Sequence, residues 1–256
     1  PATPPAAAAA RPTEAEAAAT RARLLAAGEA PARTEGPLVS IVMLTRDGAG
    51  HLRRTLPSLA RSAYANLELI VVDNASGDDT AAVLAAFAPG FPVTVIRNEQ
   101  NESYAAANNV AARAARGGLL LFLNNDVQPV GAHWLGHLVE TLDAPDVAAA
   151  GARLVYPSGE AGPRAGRRFA DLTLQHAGVW FRPGDGAPLA SPIGVGEAPD
   201  GADAVVVRDV PALTAACLLV RRAAFEAVGG FDEGYEYGQE DVDLCLRLRA
   251  TQRRHL

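Results

Sequence analysis

The sequence predicts an α/β fold with a mostly parallel central sheet flanked by helices. Three observations lead to this prediction: apolar runs recur between residues 38 and 123, helical stretches alternate with them, and the runs lack the alternation of a half-exposed strand. Strands that are apolar on both sides belong to sheets covered on both faces, and strand–helix alternation favours parallel pairing. We therefore expect one layered domain over residues 38–256.

Residues 1–37 differ in composition from the rest of the chain. Their first part is rich in proline and alanine, which is typical of a linker. A helix should follow, because Thr13 and Glu16 have the spacing of a capping box and Gly28 and Pro31 would end it. We assign no function to this segment.

Four apolar runs and three intervening segments define the first half of the domain. Pro57 should kink or interrupt the first helix, because proline lacks the amide hydrogen that the helix uses. The predicted strands are 38–45, 67–73, 92–97 and 119–123, and the predicted helices are 49–62, 79–87 and 103–116.

The pattern is less regular beyond residue 131. The stretch 157–210 is rich in Gly, Pro, Asp and Arg, and a long irregular stretch in a compact domain usually has a functional role. The other predicted elements are helices 133–142, 222–228 and 240–249 and strands 147–155, 177–181 and 212–220.

Charge and cysteine content exclude several classes of protein. The net charge is −6, so we expect no nucleic-acid partner, because such binding relies on clustered cations. Cys217 and Cys245 are not spaced as a zinc or disulfide motif, which predicts buried, reduced thiols in a cytosolic protein. The apolar runs are shorter than the roughly 20 residues that span a bilayer, so no transmembrane segment is expected.

Polar residues follow three of the predicted strands. Ligands of parallel sheets bind at the carboxyl ends of the strands, so these residues should share one crevice. A divalent cation held there by a carboxylate would neutralise a diphosphate. Each cluster alone fits an ordinary turn equally well. The clusters are Thr45-Arg46-Asp47, Asp73-Asn74 and Asn124-Asn125-Asp126.

A further acidic cluster opens the last predicted helix with Glu240, Asp241 and Asp243. A carboxylate of this kind could take a proton from an attacking hydroxyl, and neighbouring carboxylates raise one another's pKa. The alternative is an ordinary helix start, where acids are favoured by the helix dipole.

Taken together, these segments resemble the family 2 glycosyltransferases of the GT-A fold, over about residues 38–250. The resemblance depends on several runs that occur in the family's order. They are VSIVMLTR at 39–46, LIVVDNAS at 69–76, LFLNND at 121–126, ACLLVRR at 216–222, VGGFDE at 228–233 and EDVDLCLR at 240–247.

The resemblance implies an inverting transfer, by single displacement, from a nucleoside-diphosphate sugar, with UDP or dTDP as the nucleotide. The acceptor would be a hydroxyl of a glycan or lipid-linked molecule in bacterial polysaccharide biosynthesis. Residues 38–130 would bind the nucleotide sugar, and residues 131–256 would carry the acceptor and catalytic half, in which the 157–210 stretch would carry acceptor recognition or a lid. We expect a cytoplasmic location, with peripheral contact to the inner face of the membrane left open.

The resemblance also implies roles for single residues. Asp126 would hold Mg²⁺ or Mn²⁺, and Asp241 would be the base, with Glu240 as its nearest substitute. The implied nucleotide-binding residues are Thr45, Arg46, Asp73, Asn74, Asn109 and Asn125.

Some positions depart from the family pattern. Two asparagines precede Asp126, which leaves one carboxylate in the metal motif, and Gln100 and Ser103 stand where glycines are common. Relatives continue past Leu256 into strands that often carry a metal-binding histidine, which predicts a C-terminal truncation; His255 is a poor match for it.

Two other functions stay open. One is a non-catalytic module that binds nucleotide sugars. The other is a sugar-phosphate nucleotidyltransferase, which residues 46–50 disfavour because they offer too few basic groups for a triphosphate.

Overall fold

The structure, a computed structural model, describes residues 14–156, 172–184, 186, 188–201, 205–251 and 254–256. The helices in these ranges are α1 (Glu14–Gly28), α2 (Ala49–Ala60), α3 (Thr80–Ala86), α4 (Tyr104–Ala114), α5 (Trp134–Thr141), α6 (Arg222–Ala227) and α7 (Glu240–Ala250). The strands are β1 (Val39–Thr45), β2 (Leu67–Asn74), β3 (Val93–Asn98), β4 (Leu119–Leu123), β5 (Val147–Gly151), β6 (Leu154–Val155), β7 (Leu174–His176), β8 (Val179–Arg182), β9 (Leu189–Pro192), β10 (Cys217–Arg221) and β11 (Arg254–His255).

The central sheet has seven strands in the order β11-β5-β10-β4-β1-β2-β3. Its pairs are parallel except for those of β10, which runs antiparallel to β4 and β5. The predicted mostly parallel sheet is therefore confirmed. Cys217 pairs with Leu123, so β10 begins where β4 ends. The residues just before β10 consequently lie at the same edge as the carboxyl ends of β1, β2 and β4.

Apolar clusters cover both faces of this sheet. Helices α4, α6 and α7 contribute to one cluster, and α2 and α5 contribute to the other. Neighbouring residues Ile41 and Val42 enter opposite clusters, because successive side chains of a strand point to opposite faces. All residues of β2 and β4 are buried, which explains the uninterrupted apolar sequence of β4 and the apolar run 69–72 within β2.

Three predicted elements differ in detail from the structure. Helix α2 runs through Pro57, so the helix is not interrupted there, whereas a kink, the other predicted effect, stays a prediction. Pro57 is on the exposed face, where water can reach the carbonyl that lacks an amide partner. The predicted strand 147–155 divides between β5 in the central sheet and β6 in a two-stranded sheet with β7. The strand predicted from residue 212 begins at Cys217.

The segment that follows α1 is packed against the domain. A Cβ on Gly28 would lie 1.9 Å from the carbonyl oxygen of Val130, so the two backbones are in close contact. The backbone N–H of Arg33 donates to Glu140 at 2.7 Å, and its guanidinium pairs with Asp143 at 2.6 Å. The predicted helix is present, whereas the predicted linker and the Thr13 cap lie outside the described residues.

Other expectations concern parts of the chain that are only partly described. Residues 157–171, 185, 187 and 202–204 lie outside the described residues, so the role of the 157–210 stretch stays a prediction. Among the described residues, no helix combines the length and apolar character needed to cross a bilayer. Cys217 and Cys245 are free and buried as predicted, and burial raises the pKa of both thiols to about 12.

Candidate active site

A cleft of about 910 Å³ lies at the edge where β1, β2 and β4 end. One wall consists of the ends of these strands and the start of α4. The other wall consists of the segment before β10 and the start of α7. The lining residues are Leu44, Thr45, Arg46, Asn74, Asn101, Glu102, Ser103, Tyr104, Asn124, Asn125, Asp126, Thr214, Ala215, Ala216, Glu236, Tyr237, Gly238, Glu240 and Asp241.

A hydrogen bond joins the ends of β1 and β4 in the first of these walls. The side-chain amide of Asn125 donates to Thr45 Oγ1 at 2.7 Å, and the hydroxyl of Thr55 donates to the Asn125 carbonyl at 2.7 Å. Gly48 packs against this pair, because a Cβ there would lie 2.2 Å from Thr45 Oγ1. The sequence thus needs glycine at this position to bring the predicted residues Thr45 and Asn125 together.

The carboxylate of Asp78 links the loops that precede α2 and α3. Asp78 Oδ2 accepts from the Ala49 N–H at 3.0 Å, and its Oδ1 accepts from the Thr80 N–H at 2.9 Å. Asp78 therefore supplies acceptors to the first turns of both α2 and α3. The hydrogen bond from the Thr80 hydroxyl, with those from backbone amides, lowers the pKa of Asp78.

Asp73, a predicted nucleotide contact, is buried and does not line the cleft. Its Oδ1 accepts from the Ser76 N–H at 2.9 Å, and its Oδ2 is paired with the guanidinium of Arg97. Arg97 also donates to the Ser76 carbonyl at 2.9 Å. In this arrangement, Asp73 holds the turn after β2.

Asn74 reaches the cleft, but its amide is occupied by neighbours. Its nitrogen donates to Asn101 Oδ1 and to the Glu102 carbonyl, each at 2.9 Å, and its oxygen accepts from Asn98 at 2.9 Å. Asn74 therefore fixes the loop before α4, and it borders the ligand space with few free donors or acceptors.

Asn109 is absent from the cleft lining. Its amide donates to the Phe231 carbonyl at 2.9 Å and accepts from the Phe231 N–H at 3.0 Å. It also donates to Glu233 at 2.9 Å. The structure thus gives Asn109 a packing role that ties α4 to the turn after α6, and we do not retain it as a nucleotide contact.

Asp126 is exposed and lines the cleft, and it forms no hydrogen bond or ion pair with any residue of the described ranges. Its neighbour Asn124 is fixed, because the Asn124 N–H donates to the Ala216 carbonyl at 3.0 Å. Tyr104 Oη lies 3.4 Å from Asn124 Oδ1 and 3.3 Å from the Ala215 carbonyl oxygen. Tyr104 therefore contacts both walls beside the predicted metal ligand.

Asp241 faces the cleft from the start of α7. Its Oδ2 accepts from the Ala215 N–H at 3.0 Å, and its Oδ1 accepts from the Val242 N–H at 2.8 Å. These bonds fix the carboxylate while the side chain stays partly exposed. Asp243, the third acid of this turn, pairs with Arg247 at 2.6 Å and does not line the cleft.

Glu240 lies beside Asp241 and is more deeply buried, with 8% of its surface exposed. Burial and, to a smaller extent, the Asp241 charge raise the pKa of Glu240. Its Oε2 is buried without a hydrogen-bond partner among the described residues. Glu240 is therefore a carboxyl group that still has acceptor capacity inside the cleft.

The predicted metal ligand and the predicted acids line the same cleft as Tyr104. Burial raises the pKa of Tyr104, and the charges of Asp241, Glu240 and Asp126 raise it further. The carboxylates of the two walls thus border one cleft together with this hydroxyl. The sequence motifs singled out Asp126, Glu240 and Asp241 as candidates, although Asp126 lies more than a hundred residues before the two other acids.

A single hard cation fits Asp126 if a ligand completes its coordination. In the described parts of the chain, no group of three or more His, Cys, Asp or Glu side chains is placed to hold a metal ion. Mg²⁺ commonly binds one or two carboxylates and keeps its other positions for water and phosphate oxygens. The free carboxylate of Asp126 and the open space beside it suit that mode.

Two buried histidines, His176 and His255, do not line the cleft. His255 is fully buried in β11, where its Nδ1 is 3.3 Å from the Pro211 carbonyl oxygen, and it does not line the cleft. His176 is buried in β7, and its Nε2 accepts from the Thr214 N–H at 3.4 Å. His176 therefore supports the segment before β10 from behind. Burial lowers the pKa of both imidazoles to about 4.

Sequence reasoning missed several residues that line the cleft, including Tyr104, Ala215 and Tyr237. Ala215 contributes a backbone group, for which side-chain motifs give no signal. A sequence signal for Tyr104 does exist. Ser103 caps α4 by accepting from the Ala106 N–H at 3.2 Å, so a capping serine places Tyr104 in the first turn of a helix.

The profile of the family described as glycosyl transferase family 2 matches residues 40–196, more than half of the chain. The chain belongs to this family. The resemblance inferred from the sequence motifs is therefore confirmed. An N-acetylglucosaminyl-diphospho-decaprenol L-rhamnosyltransferase of Mycobacterium tuberculosis is 30% identical over 233 residues, which are 82% of this chain and 70% of that protein.

Other relatives of this family 2 chain are much longer. The O-antigen biosynthesis protein RfbC of Myxococcus xanthus is 34% identical over 227 residues, 84% of this chain but 16% of that protein. The uncharacterized protein y4gI of Sinorhizobium fredii is 36% identical over 220 residues, 84% of this chain and 23% of that protein. The chain thus spans less than a quarter of the length of these two relatives.

Solved structures show the same fold. The mannosyltransferase PcManGT of Pyrobaculum calidifontis, in complex with GDP-Man and Mn²⁺, has a TM-score of 0.64 at 18% identity, covering 94% of this chain and 63% of its own. TarS of S. aureus, in complex with UDP-GlcNAc, has a TM-score of 0.59 at 17% identity, covering 85% and 55%. The family 2 domain has the predicted GT-A fold.

Proposed function

We propose that the chain is the catalytic domain of an inverting glycosyltransferase that uses a nucleoside-diphosphate sugar. The supporting observation is that Asp126 and Asp241 line one cleft from its two opposite walls. A cation ligand and a base on opposite walls are what a metal-assisted displacement needs.

The donor would lie against the wall formed by the strand ends. Thr45, Asn125 and Arg46 line this wall, and Arg46 is the one cationic side chain among the described residues that line the cleft. Its exposed guanidinium favours a diphosphate nearby. Asp126 would hold Mg²⁺ or Mn²⁺, which when bound would neutralise charge on the diphosphate.

The acceptor hydroxyl would approach from the opposite wall. Asp241 takes the proton of that hydroxyl, and the hydroxyl oxygen forms a bond to the anomeric carbon. The bond from this carbon to the diphosphate oxygen breaks, and the nucleoside diphosphate leaves with the electron pair. One displacement inverts the anomeric configuration. The bonds from Ala215 and Val242 keep the Asp241 carboxylate in place for this step.

The names of relatives support the choice of acceptor class. One relative is named for transfer to a diphospho-decaprenol and another for O-antigen biosynthesis. We accordingly propose a glycan or lipid-linked acceptor, with UDP or dTDP as the nucleotide of the donor.

The two alternative functions explain fewer of these features. A module that only binds nucleotide sugars has no use for a fixed carboxylate on the acceptor wall. A nucleotidyltransferase needs basic groups for a triphosphate, and residues 46–50 contain one arginine and no lysine.

The deciding experiment incubates the protein with Mn²⁺ and a panel of UDP-, dTDP- and GDP-sugars and measures release of the nucleoside diphosphate. We expect release that depends on Mn²⁺, increases with an acceptor glycan and gives an inverted product by NMR. Binding of the nucleotide without turnover would support the binding module. Pyrophosphate release from a nucleoside triphosphate and a sugar phosphate would support the nucleotidyltransferase.

A further inference from the structure

We propose that the acceptor wall of the cleft is a subsite for an uncharged sugar ring, with Tyr237 as its stacking surface and Glu240 as its hydrogen-bond acceptor. The inference rests on the proposed function and deepens it, because it names the chemical class of the acceptor unit beside the reacting hydroxyl.

Tyr237 is the first observation. It lines the cleft, yet 97% of its surface is exposed. Gly238 and Gln239, which follow it, have φ of +80° and +72°, and these left-handed conformations turn the chain from the Tyr237 loop into α7. A large aromatic ring left open at the mouth of a cleft offers a rigid amphipathic surface that loses little entropy on binding. The apolar face of a sugar ring fits such a surface.

Glu240 is the second and independent observation. It is more than nine-tenths buried, and its Oε2 has no hydrogen-bond partner among the described residues although it borders the cleft. A buried polar atom of this kind is costly unless a ligand pairs with it. The hydroxyl groups of a sugar are the donors that an acceptor-side ligand would bring. Since Asp241 carries the base in our proposal, Glu240 is free to bind.

The negative charge of the acceptor wall determines which sugars the subsite excludes. Glu236, Glu240 and Asp241 all line it, whereas Arg46, the one cationic lining side chain of the described residues, belongs to the donor wall. A uronic acid or a phosphate bound here would meet three carboxylates and no cation. Like charges in a partly desolvated site repel strongly, so the occupant should be uncharged.

The test uses methyl glucoside and methyl glucuronide, with the matching galactose pair, on the protein with Mn²⁺ and UDP present. Saturation-transfer NMR titrations measure the affinity of each glycoside. We expect each neutral glycoside to bind at least about tenfold more tightly than its uronate. Glu240→Gln should narrow this preference, because glutamine keeps an acceptor oxygen and removes one charge.

Variants of the aromatic ring supply the second arm. Tyr237→Ala should weaken binding of the neutral glycosides by about tenfold, and Tyr237→Phe should retain it. Trp180→Ala is the matched control, because Trp180 is an exposed aromatic side chain of the same half that does not line the cleft. UDP affinity, measured for every variant, reports folding.

Three results would overturn the proposal: equal binding of uronates and neutral glycosides, unchanged affinity in Tyr237→Ala, or no binding of any of the four glycosides. A failure of the proposed function is seen separately, as the absence of Mn²⁺-dependent release of a nucleoside diphosphate from every sugar nucleotide.

Discussion

Asn125 donates its side-chain amide to the hydroxyl oxygen of Thr45 at 2.7 Å, and this bond joins the ends of two central strands. Gly48 closes over the pair, since a Cβ at that position would lie 2.2 Å from Thr45 Oγ1 and 2.5 Å from Asn125 Nδ2. The geometry of the proposed donor wall therefore depends on a residue that has no side chain of its own.

We expect Gly48→Ala to damage nucleotide binding through this contact. Gly48 has φ −103° and ψ 15°, which alanine can adopt, so the effect would be steric rather than conformational. The added methyl group must displace Thr45 or Asn125, and UDP affinity should fall by about tenfold. Titration calorimetry with Mn²⁺ present would measure it.

Gly50→Ala is the matched control, because a Cβ on Gly50 meets no atom within 4 Å. That variant should bind UDP like the parent protein. If Gly48→Ala binds as tightly as Gly50→Ala, the Thr45–Asn125 contact does not shape the donor wall.

The two catalytic assignments predict opposite defects. Asp126→Asn should lose the Mn²⁺-dependent part of UDP binding, because an amide is a weaker ligand for a hard cation than a carboxylate. Asp241→Asn should keep that binding and lose transfer by about 10²–10⁴-fold, as expected for removal of a general base. Calorimetry and product formation would separate them. Normal transfer by Asp241→Asn would remove this residue as the base.

The elements of this fold could be predicted because β1, β2 and β4, at the centre of the sheet, are buried on both faces. That burial produces continuous apolar runs, and the predicted strand 119–123 coincides with β4. The run 147–155 misled for the same reason: apart from Arg153 its residues are apolar or glycine, although two different sheets share them. An apolar composition indicates that a segment is buried, but it does not indicate where the chain passes from one sheet to another.

The polar strand ends show a second limit of sequence reasoning. Thr45, Asn125 and Asp126 line the cleft, whereas Asp73 is occupied by Arg97 and Ser76. Whether a polar side chain serves the ligand or its own turn depends on partners that are distant in the sequence. Such partners become visible only when the chain is folded.

A buried carboxylate at the opposite end of the sheet, Glu68, supports a stability prediction. Glu68 accepts from the Ser40 hydroxyl at 2.7 Å and from the N–H and Nε of Arg116 at 2.7 and 2.8 Å. Glu68→Gln leaves one acceptor oxygen for three donors, so the free energy of unfolding should fall by about 1–3 kcal/mol at pH 7. Urea unfolding would measure the loss.

The pH dependence of this loss provides a check. Burial raises the pKa of Glu68, but the hydrogen bonds from Ser40 and Arg116 outweigh it and the pKa lies below its usual value. The stabilisation is thus complete above the pKa of the unfolded chain and disappears as the pH falls through the folded value. The difference between Glu68→Gln and the parent should therefore shrink in acid. Glu226→Gln is the control, because its carboxylate is 60% exposed and its partner Arg222 lies 3.4 Å away.

Two buried histidines predict a loss of stability at milder acidity. His176 is 4% exposed and His255 is fully buried, and burial lowers the pKa of each to about 4. In the unfolded chain a histidine takes up its proton near pH 6.5. Between these two values the unfolded state binds protons that the folded state does not, so the free energy of unfolding falls as the pH falls.

Each buried histidine leaves the free energy of unfolding undiminished above about pH 6.5 and lowers it by about 3 kcal/mol near pH 4. His176→Gln should flatten the urea-unfolding profile over this range, because glutamine does not titrate and can still accept from the Thr214 N–H. His51→Gln changes an exposed histidine of α2 and should leave the profile unchanged. A His176→Gln profile as steep as that of the parent protein would show that His176 is protonated equally in both states, against the burial that the structure gives it.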